Sequence, residues 1–172
     1  MKILIAEDES EIWRPYKVAL EARGHNVVIS EDGEECLRKY HAELLKQQKI
    51  KTKSPSPPFD AVVLDYRMPK KDGLETAKEI LELNPKQRII FASAYVKETL
   101  EDSVKQLKQV VELIQKPFEA DALVDTIEDK EAYEGLKTLI VNIKQFDLDN
   151  PTKEQISSLF EGLRKIQKGR TF

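Results

Sequence analysis

The 172 residues suffice for one well-buried α/β core with a short extra element and are too few for two large domains. With 31 acidic residues against 28 basic ones the net charge is −3, which excludes a global electrostatic pull toward nucleic acid or an anionic membrane. The single cysteine, Cys36, excludes an intramolecular disulfide and a cysteine-built zinc site, and it accords with a reducing, cytoplasmic setting.

Lys2 to Ala6 reads as a first buried strand. The Glu7-Asp8-Glu9 that follows makes this start too short and too acidic for a signal peptide, and no apolar run approaches the roughly 20 residues of a membrane span. Ser10 to Arg23 predicts an amphipathic helix with Trp13, Val18, Ala19 and Leu20 inward, stopped by Gly24; Pro15 is tolerable only near its start. Asn26 to Ser30 is a second strand and Asp32-Gly33 a turn. Glu34 to about Gln48 forms a second helix carrying Cys36, Leu37, Tyr40, Leu44 and Leu45, where the cysteine is a packed thiol rather than a nucleophile. Lys49 to Pro58, with Lys-Thr-Lys and then Ser-Pro-Ser-Pro-Pro, cannot bury apolar surface and predicts an exposed spacer; a ligand for a proline-recognition module is the functional alternative.

Ala61 to Leu64 is a four-residue apolar run suited to a strand buried on both faces, and Asp65 stands at its carboxyl end before Pro69 bends the chain into a loop. Alone, such an aspartate could be a turn cap. Leu74 to Leu83 follows as a helix ended by Asn84-Pro85, Arg88 to Ala92 as a fourth strand ending at Ser93, and Val96 to Gln109 as a helix. Val110 to Ile114 is a fifth strand leading to Lys116-Pro117, and Glu119 to about Lys130 is a fifth helix. Five strands alternating with five helices specify an α/β fold, a doubly wound five-stranded parallel sheet with right-handed crossovers.

In such a sheet the carboxyl ends of the strands converge, bringing together Glu7, Asp8, Asp65, Ser93 and Lys116. Three crowded carboxylates repel one another unless a cation neutralises them, and hard oxygen ligands suit Mg²⁺. An aspartate, ionised at pH 7, needs no base to act as a nucleophile. Asp65 is thereby placed to attack phosphorus, with Mg²⁺, Lys116 and the Ser93 hydroxyl stabilising the equatorial oxygens of the transferring group.

Ile-Leu-Ile-Ala-Glu-Asp-Glu, Val-Val-Leu-Asp-Tyr-Arg-Met-Pro with Asp72-Gly73, Phe-Ala-Ser-Ala and Lys-Pro-Phe together resemble the receiver domain of two-component response regulators, over roughly Met1 to Lys130. The resemblance implies a flavodoxin-like fold, with Asp65 accepting a phosphoryl group from a histidine kinase or a phosphotransfer protein. It implies Mg²⁺ ligation by Glu7, Asp8, Asp65 and the Arg67 carbonyl, phosphoryl contacts from Ser93 and Lys116, and a cis peptide at Lys116-Pro117. It further implies that Arg67 and Tyr95 flank the path of a hydrolysing water. Leu113 departs from the family, which usually has an aromatic switch residue at this position. A haloacid-dehalogenase-type phosphatase would need a second acid where Arg67 stands. A flavin-binding module would need a Gly-rich phosphate loop where Glu7-Asp8-Glu9 would repel a phosphate.

From Glu131 the pattern turns to helices alone. Tyr133, Leu136, Leu139, Ile140, Ile143 and Phe146 recur at helical spacing, as do Ile156, Leu159, Phe160, Leu163 and Ile166 after a capping box at Thr152 and Gln155. Seven basic residues face six acidic ones there, and only Arg164, Lys165, Lys168 and Arg170 cluster, which disfavours DNA binding. The expected organisation is a receiver domain over 1–130 and, over 131–172, a two-helix appendage that packs on a second protein surface, most simply another copy.

Overall fold

The computed structural model describes residues 1–49, 56–94, 107, 111–131 and 133–135. Residues 50–55 of the proline-rich spacer, Tyr95, the helix expected over 96–109 apart from Leu107, and most of the helical appendage lie outside the described residues; of the spacer expected to be exposed, Ser56 is exposed but Pro58 is buried. The chain divides into two compact units, Met1–Val124 and Asp125–Phe172.

Five strands build the sheet: β1 (Lys2–Ala6), β2 (Asn26–Ser30), β3 (Ala61–Asp65), β4 (Ile89–Ser93) and β5 (Val111–Gln115). All pair in parallel, in the order β2-β1-β3-β4-β5. Each central strand is apolar on both faces because helices cover both sides of such a sheet. Leu4, Ala6, Val62, Leu64, Ile89 and Phe91 point to one face and join Cys36, Leu37, Tyr40, Ala77 and Ile80 in a single buried cluster. Ile3, Ile5, Val63 and Ile90 point the other way and are also buried. At roughly 1.5–3 kcal/mol for each large side chain, this two-sided burial is the main source of stability.

The helices are α1 (Ser10–Ala22), α2 (Gly33–Lys49), α3 (Gly73–Leu83) and α4 (Ala120–Glu128). The Asp72 side chain caps α3 by accepting from the Glu75 N–H at 2.8 Å. In α1 the buried residues are Tyr16 and Leu20, whereas Val18, expected inside, is 68% exposed. Tyr16 and Leu20 are one turn apart, and a residue midway between them is carried about 200° around the helix. Leu45 is likewise exposed at the far end of α2. Pro15 is the sixth residue of α1, beyond the first turn to which proline is best suited, so α1 forgoes one backbone bond there.

Candidate functional site

Strand order reverses direction between β1 and β3, the place where open α/β sheets form a crevice beyond the strand ends. Glu7 follows β1, with its N–H donating to the Ser30 carbonyl at 3.0 Å, and Asp65 is the last residue of β3. Carboxylate oxygens of Glu7, Asp8 and Asp65 lie within 4.8 Å of one another. Ser93 closes β4, and its carbonyl accepts from the Lys116 N–H at 2.9 Å, which carries the sheet pairing one residue past β5. Of the five residues expected from the strand ends, Glu7, Asp8 and Asp65 cluster together, Lys116 pairs with Glu7 and Asp65, and Ser93 is tied to Lys116 through its backbone.

Lys116 is the electrostatic centre. Its Nζ is 2.7 Å from Asp65 Oδ1 and 2.5 Å from Glu7 Oε2, while its side chain is only 13% exposed. Burial alone would lower the ammonium's pKa, but hydrogen bonds to Asp65 and Glu7 oppose this and carry it above its usual value. Glu7 is 3% exposed, and burial raises its carboxyl pKa above the ordinary range; Lys116 opposes that shift and Asp65 reinforces it. The second Asp65 oxygen, Oδ2, accepts from the Arg67 N–H at 2.9 Å, which places the Arg67 peptide at the rim of the acidic cluster. The Lys116-Pro117 peptide is cis, as the resemblance implied.

Three acidic side chains offering hard oxygen donors fit a small divalent cation. The carboxylate oxygens of all three lie within 4.8 Å of one another, so Glu7, Asp8 and Asp65 would hold such an ion, which would supply positive charge to the crevice. Lys116 now neutralises part of the charge such an ion would meet.

Two features escaped the reading of the sequence. Tyr16 of α1 stacks on Phe118, with ring centroids 5.0 Å apart and planes 11° apart, and the pair borders a cavity of about 530 Å³ beside Lys116. The walls include Ile12, Pro15 and Pro117. Its signal was the Tyr16/Leu20 spacing, which predicts the inward face of α1 better than a count of apolar letters. The second is an ion pair between Lys70 and Asp32, two residues far apart in sequence with no pattern linking them. Leu113 lies on β5, partly buried against the core cluster.

The response regulator receiver domain family matches residues 3–128. The chain is 28% identical over 127 residues to the transcriptional regulatory protein ZraR of Escherichia coli, covering 73% of this chain and 25% of that protein. It is 27% identical over 127 residues to the response regulator receiver protein CpdR of Brucella abortus, covering 74% of this chain and 93% of that one. Among solved structures, the CheX–CheY–BeF3–Mg complex from Borrelia burgdorferi matches with 26% identity and a TM-score of 0.59, covering 74% of this chain and 86% of the other. The chain thus spans about a quarter of ZraR but nearly all of CpdR in length. From the parallel sheet, the acidic crevice and the family match together, this chain belongs to the receiver domain family of two-component response regulators.

Proposed function

We propose that Asp65 is the phosphoacceptor of a response regulator that signals through protein–protein contacts. The observation that carries this is the placement of Asp65 at the β1/β3 crevice with Lys116 Nζ 2.7 Å from its Oδ1. A carboxylate oxygen of Asp65 attacks the phosphorus of the donor. The new O–P bond forms as the donor's bond to phosphorus breaks, and the leaving group departs with that electron pair, giving an acyl phosphate. When the donor is a phosphohistidine, the bond broken is P–N. Lys116 exchanges its contact with the carboxylate for the incoming phosphoryl oxygens, and the Ser93 hydroxyl, buried at the end of β4, donates to them. Glu7, Asp8, Asp65 and the Arg67 carbonyl would hold Mg²⁺, which neutralises the charge that builds as phosphate approaches an acidic crevice. The chain is on this reading a phosphoacceptor rather than an enzyme of repeated turnover.

The cavity beside Lys116 supports a protein donor, a histidine kinase or a phosphotransfer protein. Its apolar walls at Ile12, Pro15, Tyr16, Pro117 and Phe118 adjoin the acceptor carboxylate's own counter-ion. No helix among the described residues is long and apolar enough to cross a membrane, and a cytoplasmic site of action suits such a donor. Labelling with acetyl phosphate in Mg²⁺ tests the assignment: wild type takes up phosphate, Asp65→Asn does not and stays folded. Undiminished label on Asp65→Asn moves the acceptor elsewhere.

For the appendage over 131–172 the proposal is self-association through its apolar stripes. Light scattering on the full chain and on a truncation after Lys130 tests it. A dimer reduced to a monomer by truncation supports the proposal, and two monomers overturn it.

A further inference from the structure

Among the described residues, Lys70 is the only non-glycine with positive φ, at 65°. An L side chain in that region crowds its own backbone, so the conformation persists only where its surroundings hold it. Lys70 stands five residues after Asp65, in the turn joining β3 to α3. Its ammonium is 2.5 Å from Asp32 Oδ2. Asp32 is 6% exposed, and its other oxygen accepts from the Glu35 N–H at 2.7 Å, so the acid is pinned to the first turn of α2. Glu34 adds to the attraction on Lys70 and Arg38 opposes it.

The same turn is gripped on both flanks by backbone. A Cβ on Gly33, beside Asp32, would lie within 3.0 Å of Thr76 Oγ1 and the Lys71 carbonyl oxygen; one on Gly73 would lie equally close to the Asp65 carbonyl oxygen. Only glycine permits those approaches. The Gly73 N–H donates to the Tyr66 carbonyl at 3.0 Å, and the Arg67 N–H reaches Asp65 Oδ2 at 2.9 Å. The start of α2 is thereby coupled mechanically to the acceptor carboxylate through one short turn.

We infer that Lys70 and Asp32 are a positioning pair for the phosphorylation site, tying the β3–α3 turn to α2 so that the Arg67 peptide and the Asp65 carboxylate hold the geometry that metal binding and phosphoryl transfer require. The inference rests on the reading of Asp65 as acceptor. Neither residue touches the transferring group. Lys70 is half exposed, its side chain 56% accessible, and solvent-exposed pairs are weak, so the expected effect is on the order of threefold to fivefold.

Lys70→Gly separates positioning from mere stability. Glycine relieves the strained φ and removes the charge, so a purely structural lysine would be replaced without loss. With the full chain, Mg²⁺ affinity is measured by calorimetry, label uptake from acetyl phosphate at subsaturating Mg²⁺, and the melting midpoint in EDTA. The expected result for Lys70→Gly is Mg²⁺ binding and labelling each weaker by about threefold to fivefold with a midpoint equal to or above wild type. Lys70→Arg restores both. Asp32→Asn keeps an acceptor for the Glu35 N–H, reproduces the loss, and adds nothing when combined with Lys70→Gly. Wild-type Mg²⁺ affinity and labelling in Lys70→Gly, or additive losses in the double variant, overturn the pairing. A wild type that binds Mg²⁺ and shows the Lys70 effect on affinity, yet takes no label, contradicts the acceptor assignment and leaves the pair standing.

Discussion

Lys116→Met deletes the one cation that faces both Glu7 and Asp65 among the described contacts while keeping much of the aliphatic stem. The two carboxylates it leaves are 3% and 12% exposed at their side chains, and Asp8 lies within the same 4.8 Å cluster. Removing one partner of a buried pair costs about 3–5 kcal/mol, and solvent at the open mouth of the crevice reduces this to about 2–4 kcal/mol. At about 2–4 °C per kcal/mol for a chain of this length, the midpoint in EDTA should fall by about 5–15 °C. If Mg²⁺ binds as proposed, a hundredfold excess over Kd should contribute about 2.7 kcal/mol to wild type. The variant should gain more, because no ammonium then competes for the Glu7 and Asp65 oxygens. Differential scanning calorimetry in EDTA and across a Mg²⁺ series measures both quantities. A variant that melts with wild type in EDTA, or gains no more than wild type from Mg²⁺, refutes the account of Lys116 as counter-ion of the acidic crevice.

The Glu7 carboxyl has a folded-state pKa raised above 4.5, chiefly by burial, so its charged form costs stability as pH rises above 4.5. Glu7→Gln in EDTA should therefore melt like wild type at pH 4 and above it at pH 7, and it should lose most of the stabilisation by Mg²⁺; a lower midpoint at pH 7 contradicts this sign. Arg88 and Glu112 form a bidentate pair, 2.7 and 2.8 Å, with side chains 6% and 12% exposed. Arg88→Ala should cost about 3 kcal/mol in urea unfolding, and Arg88→Met with Glu112→Leu should recover most of it; an innocuous single variant would show that the pair is not desolvated. Arg67→Ala with Tyr95→Ala should shorten the lifetime of the phosphorylated form, followed by loss of label after donor removal, if bulk at those positions screens the acyl phosphate from water. An unchanged lifetime rules that out.

Much of this fold was legible because each strand announces itself as a short apolar run with a polar residue at its carboxyl end. β1 and β2 run over the residues expected, and β3, β4 and β5 differ from expectation by a residue at their ends. Strand ends depend on hydrogen-bond registers that apolar patterning does not encode; Ser93 and Gln115 pair, so both belong to the sheet. The acidic crevice was legible for the same reason, since topology brings the ends of parallel strands together whatever the loops do. The facing of α1 was not. Trp13, Val18, Ala19 and Leu20 gave a plausible apolar stripe, whereas packing against the sheet selected Tyr16 and Leu20. Tyr16 is amphipathic, and its stacking partner Phe118 lies more than a hundred residues on. The Lys70–Asp32 pair was equally hidden, because nothing local distinguishes those two charges from solvated ones until the β3–α3 turn is closed against α2.

The central claim is that the phosphoryl group resides on Asp65, and reductive mapping addresses it most directly. Borohydride converts an aspartyl phosphate to homoserine, so wild-type protein incubated with acetyl phosphate and Mg²⁺, reduced and digested, should show that mass change at position 65 alone, and none when EDTA replaces Mg²⁺. Reduction at Glu7 or Asp8, or a stable label that borohydride does not reach, would contradict it.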